Sequence, residues 1–123
     1  MDKSNFEELK IYQSAEQLSD KLWDTIIGWE AFAKFTIGKQ LIRSVDSIGA
    51  NIAEGSGRGS YIDNRRFIKI ARGSLFESKH WLKRAFKRKL INIVQMDEIN
   101  ILVNELTPKI SGYINYLNKM AKL

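Results

Sequence analysis

A glycine-rich stretch around an arginine is the first part of this sequence that could do chemistry. Gly55, Gly57 and Gly59 alternate with other residues, and Arg58 stands between the last two. Glycine turns beside a cation often hold phosphate, but the dinucleotide and P-loop versions need a strand entering the turn. A helical pattern enters here instead. We therefore interpret the glycines as a helix end and chain reversal, with an anion held by Arg58 at the start of the next helix as the alternative.

The sequence offers little for metal or acid–base chemistry. It has no cysteine and its single histidine is His80. A metal site would need carboxylates alone, and the sequence lacks the two Glu-x-x-His motifs that carboxylate-bridged metal sites use. His80 lies among Lys79, Lys83 and Arg84, which is typical of a surface residue. We expect a protein that is not an enzyme and that uses no metal or cofactor.

Two acidic residues, Glu54 and Glu77, lie in stretches that are otherwise apolar or small. A partly buried carboxylate is stable only when it is paired, and Arg43 or Arg72 are the expected partners. We interpret both acids as members of structural ion pairs, and a role as acid or base in a mechanism is the alternative.

Positive charge is concentrated in one segment. Residues 58–89 carry a net charge of +9, and the rest of the chain carries −3, within a total of +6. At 100° per residue, six cations fall along one face of a helix, roughly opposite its apolar stripe. These six form what we call the basic ribbon: Arg65, Lys69, Arg72, Lys79, Lys83 and Lys87. Arg84, Arg88 and Lys89 extend the charge at its end.

Such a ribbon can neutralise successive phosphates and release their counterions, so we expect RNA, DNA or another polyanion as its partner. A solvated face is the alternative, but ordinary solvated faces mix charges of both signs. Four aromatic residues are candidates for stacking on bases, although aromatics at helical spacing are usually core or interface: Trp23, Tyr61, Trp81 and Phe86.

Four segments with helical periodicity must position these residues. Apolar residues recur at spacings of three and four over about 9–29, 35–55, 60–87 and 99–120. Ser60 or Asp63 is the expected N-cap of the third segment. The pattern predicts an all-α protein, an antiparallel up-and-down four-helix bundle in which residues 1–123 form one domain. The second stripe includes Phe35 as an inward residue.

Two residues give more local predictions. Pro108 lies inside the fourth segment and predicts a kink near Thr107. Gly73 stands between Ala71 and Leu75, which predicts a tight helix crossing and a loss of several kcal/mol for Gly73→Leu.

The composition of the chain also constrains where the protein is located and whether it forms oligomers. The apolar runs are far shorter than the roughly 20 residues of a membrane span, and the beginning of the chain does not resemble a signal peptide. With no cysteine in the sequence, we expect a cytoplasmic protein. Three tryptophans, six phenylalanines and four tyrosines are more aromatic surface than one small core encloses. We therefore expect a homo-oligomer.

The stretches QLIRSVDSIGANIAEGSGR (40–58) and RFIKIARGSLFES (66–78) resemble the S23, or 23S rRNA intervening-sequence, protein family. That family's pattern is Q-x-x-R-x-x-x-S-I-x-x-N-I-A-E-G followed by F-x-x-x-A-x-G-S-x-x-E. Its matching residues here are Gln40, Arg43, Ser47, Ile48, Asn51, Ile52, Ala53, Glu54 and Gly55, then Phe67, Ala71, Gly73, Ser74 and Glu77. Pro108 departs from the family's usual fourth helix.

The resemblance implies a four-helix bundle and, through the related accessory variability proteins of diversity-generating retroelements, a pentameric ring. Those relatives bind nucleic acid and a reverse transcriptase through basic surfaces. Two hypotheses for function follow: a non-enzymatic nucleic-acid-binding oligomer that uses the basic ribbon, or a structural oligomer that acts as a scaffold for a protein partner.

Overall fold

Four long helices carry most of the chain in the computed structural model, which describes residues 5–123. They are α1 (Lys10–Ile26), α2 (Lys39–Ser56), α3 (Tyr61–Lys87) and α4 (Ile93–Ala121). A 3-10 turn (Phe6–Glu8) precedes α1. A short α-helical turn (Ala31–Ala33) and a π-helical turn (Lys34–Gly38) lead directly into α2. The four helices agree with the four periodic segments.

The helices pack as an antiparallel up-and-down bundle in which each contacts two neighbours. α1 packs against α2 and α4, and α3 packs against α2 and α4. Their apolar stripes meet in one core of aliphatic side chains, including Leu18, Leu22, Leu41, Ile48, Ile68, Leu75, Leu82, Ile99, Leu106 and Ile110. Burying a side chain of this size contributes roughly 1.5–3 kcal/mol, so the stripes are the main source of stability.

Local signals start and end the two longest helices. The Ser60 hydroxyl accepts a hydrogen bond from the Asp63 N–H and caps α3, which confirms the first of the two predicted N-caps. Asn92 and Gln95 form a capping box at the start of α4. α3 ends with Lys89 in the left-handed region (φ 62°), and the Leu90 N–H donates to the Ala85 carbonyl at 3.0 Å. This is the Schellman arrangement.

Two expectations about packing are wrong. Gly73 lies on the exposed side of α3, and a Cβ atom there would meet nothing within 4 Å. Gly73 is two residues from buried Ala71 and two from buried Leu75. Two residues are 200° of helix rotation, so Gly73 faces away from the core. Phe35 is 72% exposed: it lies in the π-helical turn before α2, about 120° around a regular helix from Leu41, and so outside the stripe that α2 buries.

Pro108 lies inside α4 on its exposed side, and the helix continues through it. Proline lacks the N–H that would bond to the carbonyl four residues earlier. Next to it, the Thr107 hydroxyl donates to the Val103 carbonyl at 2.8 Å. The predicted kink near Thr107 stays a prediction.

Candidate nucleic-acid interface

The basic ribbon lies along the flank of α3 that borders α4. Its six residues fall within an arc of about 80° and extend over about 33 Å, at 100° and 1.5 Å per residue. The buried residues Ile68, Leu75 and Leu82 of the same helix lie about a quarter of a turn away. The expectation that ribbon and stripe are roughly opposite is therefore wrong: they are neighbouring faces.

Most of the predicted cations are exposed to solvent. Lys69, Arg72, Lys83, Lys87 and Arg88 are exposed, whereas Arg65, Lys79 and Arg84 are half-buried. The Arg65 Nη1 donates to the Asn118 Oδ1 of α4 at 3.1 Å. The ribbon thus has one end anchored to the neighbouring helix and a longer part that faces solvent.

The ion pairs of the protein leave the positive charge of the ribbon uncompensated. Within residues 5–123, the salt bridges join Lys21 to Glu98, Arg43 to Glu77, Arg58 to Glu54, and Arg66 to Asp63. None of these pairs includes a residue of the ribbon, or Arg84 or Arg88. An uncompensated row of cations is a stronger attractor of polyanions than a row whose charge is already neutralised.

The flank of α4 beside the ribbon is mostly polar and uncharged. The bond between Arg65 and Asn118 fixes the register of the two antiparallel helices. Steps of 1.5 Å in opposite directions then bring Arg72 level with Ser111, and Lys83 level with Asn100. Within an arc of about 40°, this flank of α4 carries exposed Ile93 at its start and four polar residues: Asn100, Asn104, Ser111 and Asn118. Their amides and hydroxyl can donate hydrogen bonds to phosphate oxygens.

The motif residues of α2 and α3 form a polar seam between the two helices. Arg43 donates to Gln40 Oε1 and forms an ion pair with Glu77. The Trp81 Nε1 donates to Glu77 Oε2 at 3.0 Å. This hydrogen bond, together with Arg43, holds the pKa of Glu77 below its ordinary value. The predicted pairing of Arg43 with Glu77 is confirmed.

The seam continues with small hydroxyl and amide groups. The Oγ atoms of buried Ser44 and Ser78 lie 2.9 Å apart, and those of Ser47 and Ser74 lie 3.0 Å apart. Asn51 donates to the Ser47 carbonyl at 2.8 Å. These pairs satisfy polar groups at the α2–α3 contact, so the motif residues serve the packing of these helices.

The glycine turn also serves architecture. Gly55 is buried inside the last turn of α2, and Gly59 supplies the left-handed conformation (φ 84°) that reverses the chain. Arg58 donates to Glu54 Oε1 at 2.8 Å and lies 4.7 Å from the ring centroid of Phe67. Glu54 therefore pairs with Arg58, so the expected partners Arg43 and Arg72 are wrong for it. Since its charge is engaged in this way, Arg58 is poorly placed to hold an anion.

The four aromatic candidates for base stacking differ in how exposed their side chains are. Trp81 is half-buried and tied to Glu77, so its ring belongs to the seam. Tyr61, Phe86 and Trp23 are exposed, although Tyr61 packs edge-on against Tyr116. Phe76, which was not among the predicted stacking residues, is 57% exposed and lies within the arc of the basic ribbon. Its spacing of four from Arg72 and three from Lys79 was the available signal.

Residues 5–123 contain no group of three or more His, Cys, Asp or Glu side chains placed to hold a metal ion. His80 is exposed, as expected, and its ring meets the edge of Trp81. Over the same residues, no helix has the length and apolar character needed to cross a bilayer.

Comparison with known proteins agrees with the fold and the motif. The model of the 23S rRNA-intervening sequence protein family matches residues 7–112. A crystal structure from Bacteroides thetaiotaomicron, of a protein of unknown function from the S23 ribosomal protein family, superposes with a TM-score of 0.76. It is 24% identical and covers 85% of this chain and 97% of its own. No curated protein matches the sequence. The chain therefore belongs to the 23S rRNA-intervening sequence protein family.

Proposed function

We propose that this protein binds nucleic acid through the basic ribbon of α3, that it does so without catalysing a reaction, and that it acts as a homo-oligomer. The observation that carries the proposal is the ribbon itself: six cations on one flank, without a salt-bridge partner among residues 5–123. The cations that do find carboxylates within these residues, Lys21, Arg43, Arg58 and Arg66, all lie outside the ribbon. A protein that needed only solubility would have no reason to keep acids away from one face.

Phosphate contacts give affinity a steep dependence on salt, which supplies the test. The variant Lys79→Glu/Lys83→Glu/Lys87→Glu should lose three phosphate contacts. The slope of log affinity against log salt should then flatten by about 2 to 3 units, depending on whether the ligand is single- or double-stranded. Fluorescence anisotropy with a generic RNA oligonucleotide over a salt series measures this slope. RNA is the first probe because the description of the family names a segment of ribosomal RNA.

The matched control is Lys10→Glu/Lys109→Glu/Lys119→Glu, which changes the net charge equally at exposed positions away from the ribbon. It should change the slope much less. Circular dichroism checks that both variants stay folded. Equal slopes for the ribbon variant, the control and the parent would contradict the proposal. If the parent shows no salt-sensitive binding, the alternative of a scaffold for a protein partner is favoured.

An apolar groove supports the oligomer. It has a volume of about 560 Å³ and lies between the end of α1 and the start of α2. Its apolar lining includes Trp23, Ile27 and Phe35, which are all more than half exposed. Lys34 and Lys39 stand at the same groove. A groove of this kind accepts one face of an amphipathic helix.

A second copy of this chain offers a matching helix face. On the outer side of α4, Val94 and Ile101 are exposed beside the acidic Asp97 and Glu105. This face is apolar with acidic flanks, whereas the groove is apolar with basic flanks, so the two are complementary. Insertion of α4 into a neighbour's groove uses two different surfaces of each copy. Such a contact builds a ring when the rotation closes. The resemblance to ring-forming relatives predicts five copies.

Charge exchange tests this contact. Lys34→Glu/Lys39→Glu should dissociate the oligomer towards the 14.2 kDa chain, and adding Asp97→Lys/Glu105→Lys should restore it. Ile62→Asp, at an exposed apolar position of α3, serves as the control and should leave the mass unchanged. Multi-angle light scattering reads the mass at micromolar concentration. A parent protein with the mass of one chain would contradict the oligomer.

A further inference from the structure

One position in the basic ribbon is aromatic. Counting along α3 in steps of three and four residues gives positions 65, 69, 72, 76, 79, 83 and 87, and all but one of them hold Lys or Arg. The exception is Phe76, which is 57% exposed. The neighbouring ribbon cations, Arg72 and Lys79, are about 10 Å apart along the helix axis, so the ring fills the one wide gap between charges.

Phe76 is also coupled to a ribbon cation. The Lys79 Nζ lies 4.7 Å from the centroid of the Phe76 ring. A nucleotide presents a flat base next to an anionic phosphate. Phe76 and Lys79 present a flat ring next to an ammonium group, so the pair is complementary to one nucleotide of a strand. Phe76 has no role in packing α3, whose buried face is aliphatic apart from Phe67 and Ser78.

We propose that Phe76 stacks on an unpaired base and that the ligand of the basic ribbon is therefore single-stranded nucleic acid. This inference rests on the proposed function and specifies its ligand. In a duplex, both faces of each base are covered by its neighbours, and the phosphates meet the protein first. An aromatic ring in the middle of a phosphate-binding row finds a partner only where bases are unstacked.

Three oligonucleotide probes separate base stacking from phosphate binding: a twelve-nucleotide polyuridine strand, an abasic strand of the same length, and a twelve-base-pair duplex. Phe76→Ala should weaken binding of the polyuridine strand about tenfold, within the range that one stacked base supplies. The slope of log affinity against log salt should stay the same, because no phosphate contact is removed. Affinity for the abasic strand and the duplex should not change.

Three further variants complete the design. Phe76→Trp keeps an aromatic face and should retain affinity, while Phe76→Leu keeps apolar bulk without that face and should behave like Phe76→Ala. Ile70→Ala removes another exposed apolar side chain of α3 away from the ribbon and should have no effect. Since all these side chains are exposed, the bundle should stay folded, which circular dichroism verifies.

The outcomes separate the two proposals. Unchanged affinity of Phe76→Ala for polyuridine, with salt-sensitive binding intact, would overturn the stacking inference and leave the proposed function standing. An equal loss for polyuridine, abasic strand and duplex would also overturn it, since the contact would then be one to the backbone. Absence of salt-sensitive binding to every probe would overturn both.

Discussion

Gly55 of α2 lies directly against Phe67 of α3: a Cβ atom on Gly55 would be 2.9 Å from the Cβ atom of Phe67. The same added atom would lie 2.7 Å from the side-chain oxygen of Asn64. Carbon atoms in contact are normally about 3.5–4.0 Å apart, so any larger residue at position 55 must push the two helices apart. The glycine is therefore required by the distance between α2 and α3.

Gly55→Ala should destabilise the bundle by about 1–3 kcal/mol, because overpacking a tight helix contact costs this much. Gly73→Ala is the matched control, since Gly73 has open space around its Cα atom. It should stabilise the protein by up to about 1 kcal/mol through the helix propensity of alanine. Urea unfolding followed by circular dichroism measures both changes. Equal free energies of unfolding for the two variants would contradict the close contact between Gly55 and α3.

Glu77 predicts a dependence of stability on pH. The hydrogen bond from Trp81 and the neighbouring Arg43 hold its folded-state pKa below the ordinary value of 4.5. Its contribution to stability is therefore present above that ordinary value and is lost as pH falls through the lower, folded-state pKa. The side chain is 39% exposed, so the effect is screened and should stay within about 1 kcal/mol.

Glu77→Gln should remove this contribution, so that its stability falls less steeply than that of the parent as the pH is lowered from about 5 to 3. Asp24→Asn is the control, because Asp24 is exposed and has no salt-bridge partner within the described residues. Thermal unfolding at a series of pH values gives the comparison. A Glu77→Gln curve that runs parallel to that of the parent would contradict the coupling.

Lys89 predicts a stabilising substitution. It holds a left-handed conformation (φ 62°), which costs roughly 1–2 kcal/mol for residues with a Cβ atom and little for glycine. Lys89→Gly should therefore raise the free energy of unfolding by about 1 kcal/mol and the Tm by a few degrees. Lys89→Ala loses the same charge but keeps the strain, and it should give no such gain. If both variants gain equally, the charge rather than the backbone is responsible.

The sequence predicted the fold well because its apolar residues are strictly periodic. Leu18, Leu41, Leu75 and Leu106 all lie in stripes, and all are buried. The errors concern positions for which helical periodicity gives no information. Phe35 lies in the π-helical turn that precedes α2, outside the regular helix whose spacing predicts burial, and it is exposed. Gly73 shows that a small residue between two buried ones does not indicate a crossing.

The candidate site could be predicted only in part from the sequence. Charge and spacing were enough to find the ribbon, because both are properties of one helix. The pairing of Glu54 with Arg58 depends on rotamers at the end of α2 and was not predicted. The relation of the ribbon to α4 depends on the register of two helices, and the bond between Arg65 and Asn118 is what reveals it.

The separation of charge along the chain makes the molecule an electric dipole, with α3 at its positive pole. In the field of an approaching polyanion, a dipole experiences a torque that turns the positive side forward before contact. More encounters then occur in a productive orientation. Added salt should weaken this steering, because interactions between charges farther apart than the Debye length, roughly 10 Å at 0.1 M, are largely screened. The association rate constant, measured by stopped flow, should therefore fall steeply with ionic strength.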